Sequence, residues 1–246
     1  MMAKNVYTYS LSEPLGATAT AKADIDAGDG NLAIESLPSG QPMLVRGTLQ
    51  YLENQGIPLH SVDMHNGPVT LTLKAGRNGK PRFRFPWATC NGATEWQIQL
   101  HPAVLLDITA HSHGGNVRLN LAGMAISRLA ADTGGGNMEV VLPDNAANLD
   151  VTARTGAGNV AVEIGSGITG HNILDANSGA GNVVVQVPDG IAARIHATSG
   201  LGKVIVDSRF SPIDAATYQS PGYDEARDKI EITLHSGAGN VNVNTP

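Results

Sequence analysis

Cysteine is almost absent from this sequence, because Cys90 is the only one among 246 residues. A single thiol excludes an internal disulfide and cannot build a cysteine-rich zinc site, so we expect Cys90 to be a structural residue. Charge is also scarce, since charged residues make up 15% of the chain and the formal net charge is −6. A protein that binds nucleic-acid phosphates presents a basic surface, and therefore no nucleic-acid partner is predicted.

Long apolar segments are missing as well. The first residues, MMAKNVYTYS, lack the apolar stretch of roughly 7–15 residues that a signal peptide requires. Nowhere do about 18 apolar residues run together, as a transmembrane helix needs. The sequence therefore predicts no membrane insertion from this chain and a location in the cytoplasm.

Glycine, in contrast, is abundant, with 29 of the 246 residues. Hydrophobic residues reach 41%, whereas disordered chains combine higher charge with lower apolar content. The glycines are therefore expected to serve an ordered structure.

A repeated motif contains many of these glycines. Each copy has glycines followed by a polar residue. Three copies are nearly identical: TGAGNVAVEI (155–164), SGAGNVVVQV (178–187) and SGAGNVNVNT (236–245). Looser copies are centred on Asn116, Asn137 and Lys203, and an early outlier is DAGDGNL (26–32). The centres 116, 137, 159, 182 and 203 follow at intervals of 21, 22, 23 and 21 residues, whereas the step from 203 to 240 is 37. The last step therefore carries an insertion of roughly 15 residues.

Apolar residues alternate with other residues on both sides of each glycine motif, as in Val160, Val162 and Ile164. This period of two is typical of half-buried strands, and so small a unit can bury its apolar face only by stacking on its neighbours. The sequence predicts an all-β parallel β-solenoid, similar to a single-stranded β-helix, with coils of 21–23 residues and Gly-x-Gly-Asn corners. The predicted corner residues are Gly134, Gly136, Asn137, Gly156, Gly158, Asn159, Gly179, Gly181, Asn182, Gly237, Gly239 and Asn240.

No linker or charge run divides the chain, so one domain is predicted over residues 1–246. It comprises an N-terminal segment (1–21), an irregular β-rich part (22–103) and a regular solenoid (104–246) with a loop insertion at about 209–228.

Several of these segments resemble a known family. The stretch WQIQLHP (96–102), the residues Leu106-Asp107-Ile108 and the stretch GGNVRLNL (114–121) resemble the toast-rack family of bacterial adhesin-like proteins, and the resemblance extends from about residue 22 onward. It implies a rack of stacked strands without known catalytic residues. Relatives of this kind include extracytoplasmic domains of membrane proteins in cell-wall-antibiotic and envelope-stress responses. The resemblance thus implies a non-catalytic scaffold or interaction module linked to the bacterial cell envelope.

One candidate metal site emerges from the repeat. His111 and His113 precede a corner, and Asp132 occupies the repeat position of His111. Stacking in register would place His111 and Asp132 about 5 Å apart, close enough to share a metal such as zinc. A solvent-facing row of mixed polar residues explains the same pattern, so no cofactor is predicted and a weak metal-binding protein stays an alternative.

A carbohydrate-binding or polysaccharide-cleaving β-helix protein is a further alternative. Glu163 and Asp207 share a register position with one coil between them, which predicts a separation of about 10 Å, near the upper limit for an inverting pair of carboxylates. The neighbouring Val184 and Ile205 make that face partly apolar, which is unusual in a sugar cleft. The sequence therefore predicts no catalytic residue and no enzyme, and a glycan ligand has no support of its own.

The ends of a solenoid expose strand edges that pair with other chains unless they are covered. The last repeat ends beside Pro246, so residues 209–228 or another chain must cover the terminal coil. The outward apolar residues Val141, Val184 and Ile205 form a candidate interaction strip. These features predict a protein partner or a homo-oligomer, through the outer face or the terminal edge.

Overall fold

The structure, a computed structural model, describes residues 5–64, 68–76 and 94–246, and every regular element in these residues is a β-strand. In chain order the strands are β1 (Val6–Pro14), β2 (Thr20–Asp26), β3 (Asn31–Ser36), β4 (Met43–Leu52), β5 (Leu59–Asp63), β6 (Val69–Lys74), β7 (Glu95–Leu100), β8 (Leu105–Ser112), β9 (Val117–Asn120), β10 (Ile126–Thr133), β11 (Met138–Val141), β12 (Asp150–Thr155), β13 (Val160–Glu163), β14 (His171–Ser178), β15 (Val183–Gln186), β16 (Ala192–Ser199), β17 (Val204–Val206), β18 (Ser211–Pro212), β19 (Thr217–Gln219), β20 (Lys229–Ser236) and β21 (Val241–Asn244). The prediction for Cys90 lies outside the described residues.

These strands form two sheets. Sheet A has the order β1-β4-β7-β3-β9-β11-β13-β15-β21-β17, and sheet B has the order β18-β19-β16-β20-β14-β12-β10-β8-β2-β6-β5. Pairing is parallel in the long middle part of both sheets, where successive coils each contribute one strand to each sheet. The predicted all-β, mostly parallel, solenoid-like architecture is confirmed.

The core lies between the two sheets. Every second residue of a strand points inward, so that Val160, Val162 and their register partners Val183 and Val185 are buried in sheet A. Small residues such as Ala153 occupy inward positions of sheet B. Burying one such valine stabilises the fold by about 1.5–3 kcal/mol relative to leaving it exposed, and the same gain recurs in each coil.

Asparagine side chains connect the corners of adjacent coils. The Oδ1 atom of each Asn accepts a hydrogen bond from the backbone N–H of the corresponding residue in the next coil, as in Asn182 N–H to Asn159 Oδ1 at 2.9 Å. The same bond recurs from coil to coil at Asn31, Asn116, Asn137, Asn182 and Asn240. The series ends at Lys203, whose N–H donates to Asn240 at 2.9 Å and which lies in the outermost of these coils.

The spatial order of the coils differs from their order in the sequence. The C-terminal coil, β20 and β21, lies between the β14–β15 coil and the β16–β17 coil. The β2–β3 coil similarly lies between the β6–β7 and β8–β9 coils. The expectation that the last repeat in the sequence forms the end of the solenoid is therefore wrong, because the C-terminal strands insert one position inward.

Antiparallel strands close both sheets at one end of the molecule and sheet B alone at the other. At the β1 end, β4 pairs with β7 and β1 pairs with β4 in sheet A, while β5 pairs with β6 in sheet B. At the β17 end, β19 pairs with β16 and β18 pairs with β19, so the inserted segment covers the edge of sheet B. Phe210 and Tyr223 anchor that segment, and both are buried.

Candidate functional site

A cluster of histidine and carboxylate side chains lies at the corner where β2 and β8 end. His111 is in register with Asp26 of β2 on one side and with Asp132 of β10 on the other. His113 follows His111 by two residues, beyond the end of β8. We call Asp26, His111 and His113 the corner cluster.

The potential metal-ligating atoms of the corner cluster are close together. One such atom from each of the three side chains lies within 4.8 Å of the other two. Asp26 Oδ1 is 4.0 Å from His113 Nδ1, and the two imidazole rings stand edge to face with their centroids 4.7 Å apart. The arrangement therefore offers two imidazole nitrogens and one carboxylate to a common point.

Backbone hydrogen bonds hold the two corners together. His113 N–H donates to the Gly28 carbonyl oxygen at 2.6 Å, and Ala27 N–H donates to the His111 carbonyl oxygen at 3.0 Å. Gly28 N–H donates in turn to Asp26 Oδ1 at 2.9 Å. The main-chain positions of these residues are thus fixed by hydrogen bonds between stacked coils.

Asp132 contacts His111 directly, through a hydrogen bond between its Oδ1 and His111 Nδ1. The sequence placed Asp132 beside His111, and the structure does the same, but the carboxylate near both histidines is Asp26. The sequence analysis did not place Asp26 with the histidines, although it stands five residues before Asn31, as His111 stands five residues before Asn116. That shared offset was the available signal.

A wide depression adjoins the corner cluster. It has a volume of about 710 Å³, and its lining includes Asp26, Lys74, Tyr9 and His60. Tyr9 Oη and His60 Nδ1 are 3.2 Å apart, and His60 Nε2 lies 3.4 Å from Glu13 Oε1. Asp26 therefore belongs both to the corner cluster and to the lining of this mixed polar and apolar depression.

A second candidate surface is the outer edge of sheet A at β17. Val241 N–H donates to the Lys203 carbonyl oxygen and Asp207 N–H donates to the Val243 carbonyl oxygen, both at 2.9 Å. Because alternate residues of a strand direct their main-chain groups to opposite sides, the groups of Val204 and Val206 point away from β21. Among the described residues, β17 is the last strand of sheet A at this end.

The family follows from the comparison with known proteins. Residues 3–163 match the family model described as the N-terminal domain of toast_rack, DUF2154. This chain belongs to the toast-rack family. The family predicted from the segments around Trp96 and Asn116 is confirmed.

The toast-rack chain is also similar to solved structures. A candidate cell adhesion protein from Clostridium sporogenes has a TM-score of 0.69 at 20% identity, covering 99% of this chain and 100% of that one. A candidate adhesin from Bacteroides fragilis has a TM-score of 0.34 at 13% identity, with 98% of each chain covered. No curated protein matches closely enough to count as a relative. The first structure shows the fold that this toast-rack protein shares.

No helix in the described part of this toast-rack protein could cross a membrane.

The structure separates the two carboxylates considered for sugar cleavage. Glu163 aligns with Gln186, and Gln186 aligns with Asn244, which lies next to the strand that leads into Asp207. The inserted C-terminal coil thus places three strand spacings, about 14 Å, between Glu163 and Asp207. The predicted spacing of about 10 Å is therefore wrong for this toast-rack chain.

The three residues of the predicted interaction strip do not form one row. Val184 and Ile205 share a row, but Asn242 of the inserted coil lies between them. Val141 aligns with Glu163 and so belongs to the neighbouring row. In this toast-rack protein Ile205 stays the exposed member, at 54%, because it lies on the edge strand.

Proposed function

We propose that this chain is a non-catalytic, adhesin-like interaction scaffold that holds a protein partner by pairing a strand of that partner with β17. The observation that carries the proposal is the outer side of β17, which no described strand covers although sheet B is closed at the same end. An extended peptide that adds to a sheet edge gains affinity from main-chain hydrogen bonds and specificity from its alternate side chains.

The side chains around the β17 edge determine which kind of partner segment can bind there. Leu201 and Ile205 are 87% and 54% exposed, and Lys203 between them is also exposed. A partner segment that pairs here covers the two apolar side chains and places an acidic residue near Lys203. The occupant is therefore an extended protein segment of alternating apolar residues with one carboxylate.

The short length of β17 favours binding of a specific partner over non-specific strand association. The strand has three residues, Val204–Val206, and short edge strands with a neighbouring lysine are how natural sheets limit uncontrolled pairing. Three residues offer few main-chain hydrogen bonds, so part of the affinity must come from contacts between the partner segment and the side chains that flank β17.

The resemblance to adhesin-like proteins supports an adhesive role, and the repeat of 21–23 residues with Gly-x-Gly-Asn corners supplies the rigid support for it. The same resemblance supports a place in the cell-envelope response. Fractionation of the native cells into cytoplasm and envelope tests that placement against the cytoplasmic location that the sequence predicts.

The edge is tested by selecting random decapeptides displayed on phage against the full chain. We expect the selected peptides to be extended, apolar and acidic at one position, and to lose at least about tenfold in affinity with Ile205→Lys. Val206→Pro, which removes an outward N–H, should have the same effect. Ile173→Lys, at an isoleucine that is 45% exposed but in the middle of sheet B, should leave binding unchanged.

Two outcomes overturn the proposal. Selected peptides that bind the wild-type chain and Ile205→Lys equally well, or the absence of any selected peptide, exclude β17 as the docking edge. Concentration-dependent self-association that Ile205→Lys abolishes identifies a second copy of this chain as the occupant and overturns the choice of partner.

A further inference from the structure

We infer that the corner cluster, Asp26, His111 and His113, binds a divalent transition metal, with zinc as the occupant. Three protein ligands with a remaining position for water or a donor from another molecule are the arrangement of open zinc sites. The inference does not depend on partner binding at β17, which lies at the other end of the rack.

The choice of metal follows from the ligand types. Two imidazoles and one carboxylate suit zinc and its first-row neighbours, whereas calcium and magnesium require shells made mainly of oxygen. The absence of a thiolate from the cluster does not weaken this choice, because histidine and carboxylate ligands are sufficient for zinc.

The distances are compatible with closure around one ion. Zinc bonds of about 2.0–2.2 Å in tetrahedral geometry place ligand atoms roughly 3.4 Å apart, and the corner cluster holds its ligand atoms within 4.8 Å of one another. The His113 side chain is 50% exposed, so rotation about its side-chain bonds can shorten its distances to the other two ligands, which must decrease by at most about 1.4 Å.

Asp132 supports the cluster without being a ligand. Its carboxylate accepts a hydrogen bond from His111 Nδ1, which leaves Nε2 of the neutral ring with a free lone pair. A carboxylate that orients a metal-binding histidine in this way is the usual outer partner of zinc sites. Asp132 is therefore a positioning residue.

The surrounding row of charges explains part of the cluster but not all of it. Lys74, Asp26, His111, Asp132 and Arg154 lie in one row across sheet B, and such alternation stabilises neighbouring strands without any metal. Lys74, however, pairs with Asp24 at 2.9 Å, and His113 lies beyond the row. Asp26 and His113 lie 4.0 Å apart without a direct hydrogen bond, and a metal ion between them would bring the two side chains to a common partner.

Calorimetric titration of zinc into the full chain, without an affinity tag, tests the site. The background carries Cys90→Ser, so that the single thiol cannot contribute. We expect one zinc ion per chain, a loss of at least about tenfold in affinity with His113→Gln and with Asp26→Asn, and a smaller loss with Asp132→Asn. Cobalt in place of zinc should give the visible absorption of a tetrahedral site, and His113→Gln should abolish it.

His235→Gln is the matched control. His235 lies in the row of His111, separated from it by Asp132, Arg154 and Asn177, and contacts Thr198 Oγ1 at 3.0 Å. Zinc affinity should not change with this substitution. Unchanged circular dichroism and thermal midpoints of the apo variants establish that they fold. Equal affinities of His113→Gln, His235→Gln and the unsubstituted chain, or no binding at millimolar zinc, overturn the inference.

Discussion

At the β1 end both sheets finish in antiparallel strands, whereas at the β17 end only sheet B does. The β1 end is covered by long strands, β1 and β4, that continue sheet A past its parallel part. At the β17 end, the short hairpin β18–β19 covers only the edge of sheet B, and a few side chains anchor the segment that contains it. Among the described residues, β17 is thus the one sheet edge that does not end in an antiparallel strand.

The anchors of the two ends differ accordingly. Trp96 at the β1 end is buried within a strand and donates from Nε1 to the Gln50 carbonyl oxygen at 3.0 Å. Tyr223 at the β17 end is 1% exposed although it belongs to the inserted segment, and Arg194 and Lys229 lie against its ring at 4.5 and 4.9 Å from the centroid. The β1 end is thus stabilised mainly by strand pairing, whereas the short hairpin at the β17 end is also stabilised by the buried ring of Tyr223.

The largest effect is expected from Tyr223→Ala. Loss of a buried aromatic side chain should lower the free energy of unfolding by about 3–5 kcal/mol. Since each coil contacts only its neighbours, hydrogen exchange should accelerate in β16, β17 and β19 while β1 and β4 stay protected. Tyr7→Ala, at a more exposed tyrosine of β1, should cost less than about 1.5 kcal/mol. Equal acceleration at both ends would show that the rack opens as one unit.

The stacked coils between the ends are tested with Gly136→Ala. A Cβ atom at this position would overlap the Gly115 carbonyl oxygen, so the two corners must separate. We expect a loss of about 3 kcal/mol in urea unfolding. Gly135→Ala is the control, because a Cβ there meets nothing within 4 Å, and it should change stability by less than about 0.5 kcal/mol. Similar costs for the two substitutions would contradict the stacking.

Alkaline pH should weaken the β17 end selectively. Burial, together with the hydrogen bond to Glu231, raises the pKa of Tyr223 to about 12, while an unfolded tyrosine has a pKa of about 10. Below about pH 10 both states keep the proton and the full contribution is present. Between about pH 10 and 12 the unfolded chain ionises first, so stability should fall by about 2–3 kcal/mol in total.

Tyr223→Phe supplies the comparison for this titration. It keeps the ring but cannot ionise, so its urea midpoint should decline less than that of the wild-type chain across the same range. Parallel declines of the two proteins would assign the alkaline loss to other groups.

The smallest effect is expected at the asparagine corners. Asn159→Ala removes the acceptor of Asn182 N–H and should cost about 1 kcal/mol in thermal or urea unfolding. Lys203→Ala should cost less than about 0.5 kcal/mol, because the β17 coil has no further described coil to support. A loss at Lys203 as large as that at Asn159 would mean that another contact, not the asparagine bond, sets the cost.

The sequence predicted one part of the candidate site and not the other. The repeat offset brought His111 and Asp132 together correctly, because both belong to consecutive coils of 21 residues. Asp26 escaped because about 80 residues of irregular sequence separate it from His111, and nothing local shows that its coil stacks directly against β8. The Lys at 203, where the other copies have Asn, indicated the terminal coil, since only an end position has no further N–H that could donate to an asparagine oxygen.

The alternation of apolar residues and the spacing of the glycines determined by themselves that this chain forms stacked parallel strands in two sheets. Those signals are local, because a period of two and a tight corner depend on neighbouring residues. The tertiary structure alone decided the order of the coils at both ends, and with it the wide separation of Glu163 from Asp207, the exposure of β17 and the meeting of Asp26 with the two histidines. Several coils share nearly the same Gly-rich corner, so the motif by itself does not fix one stacking order.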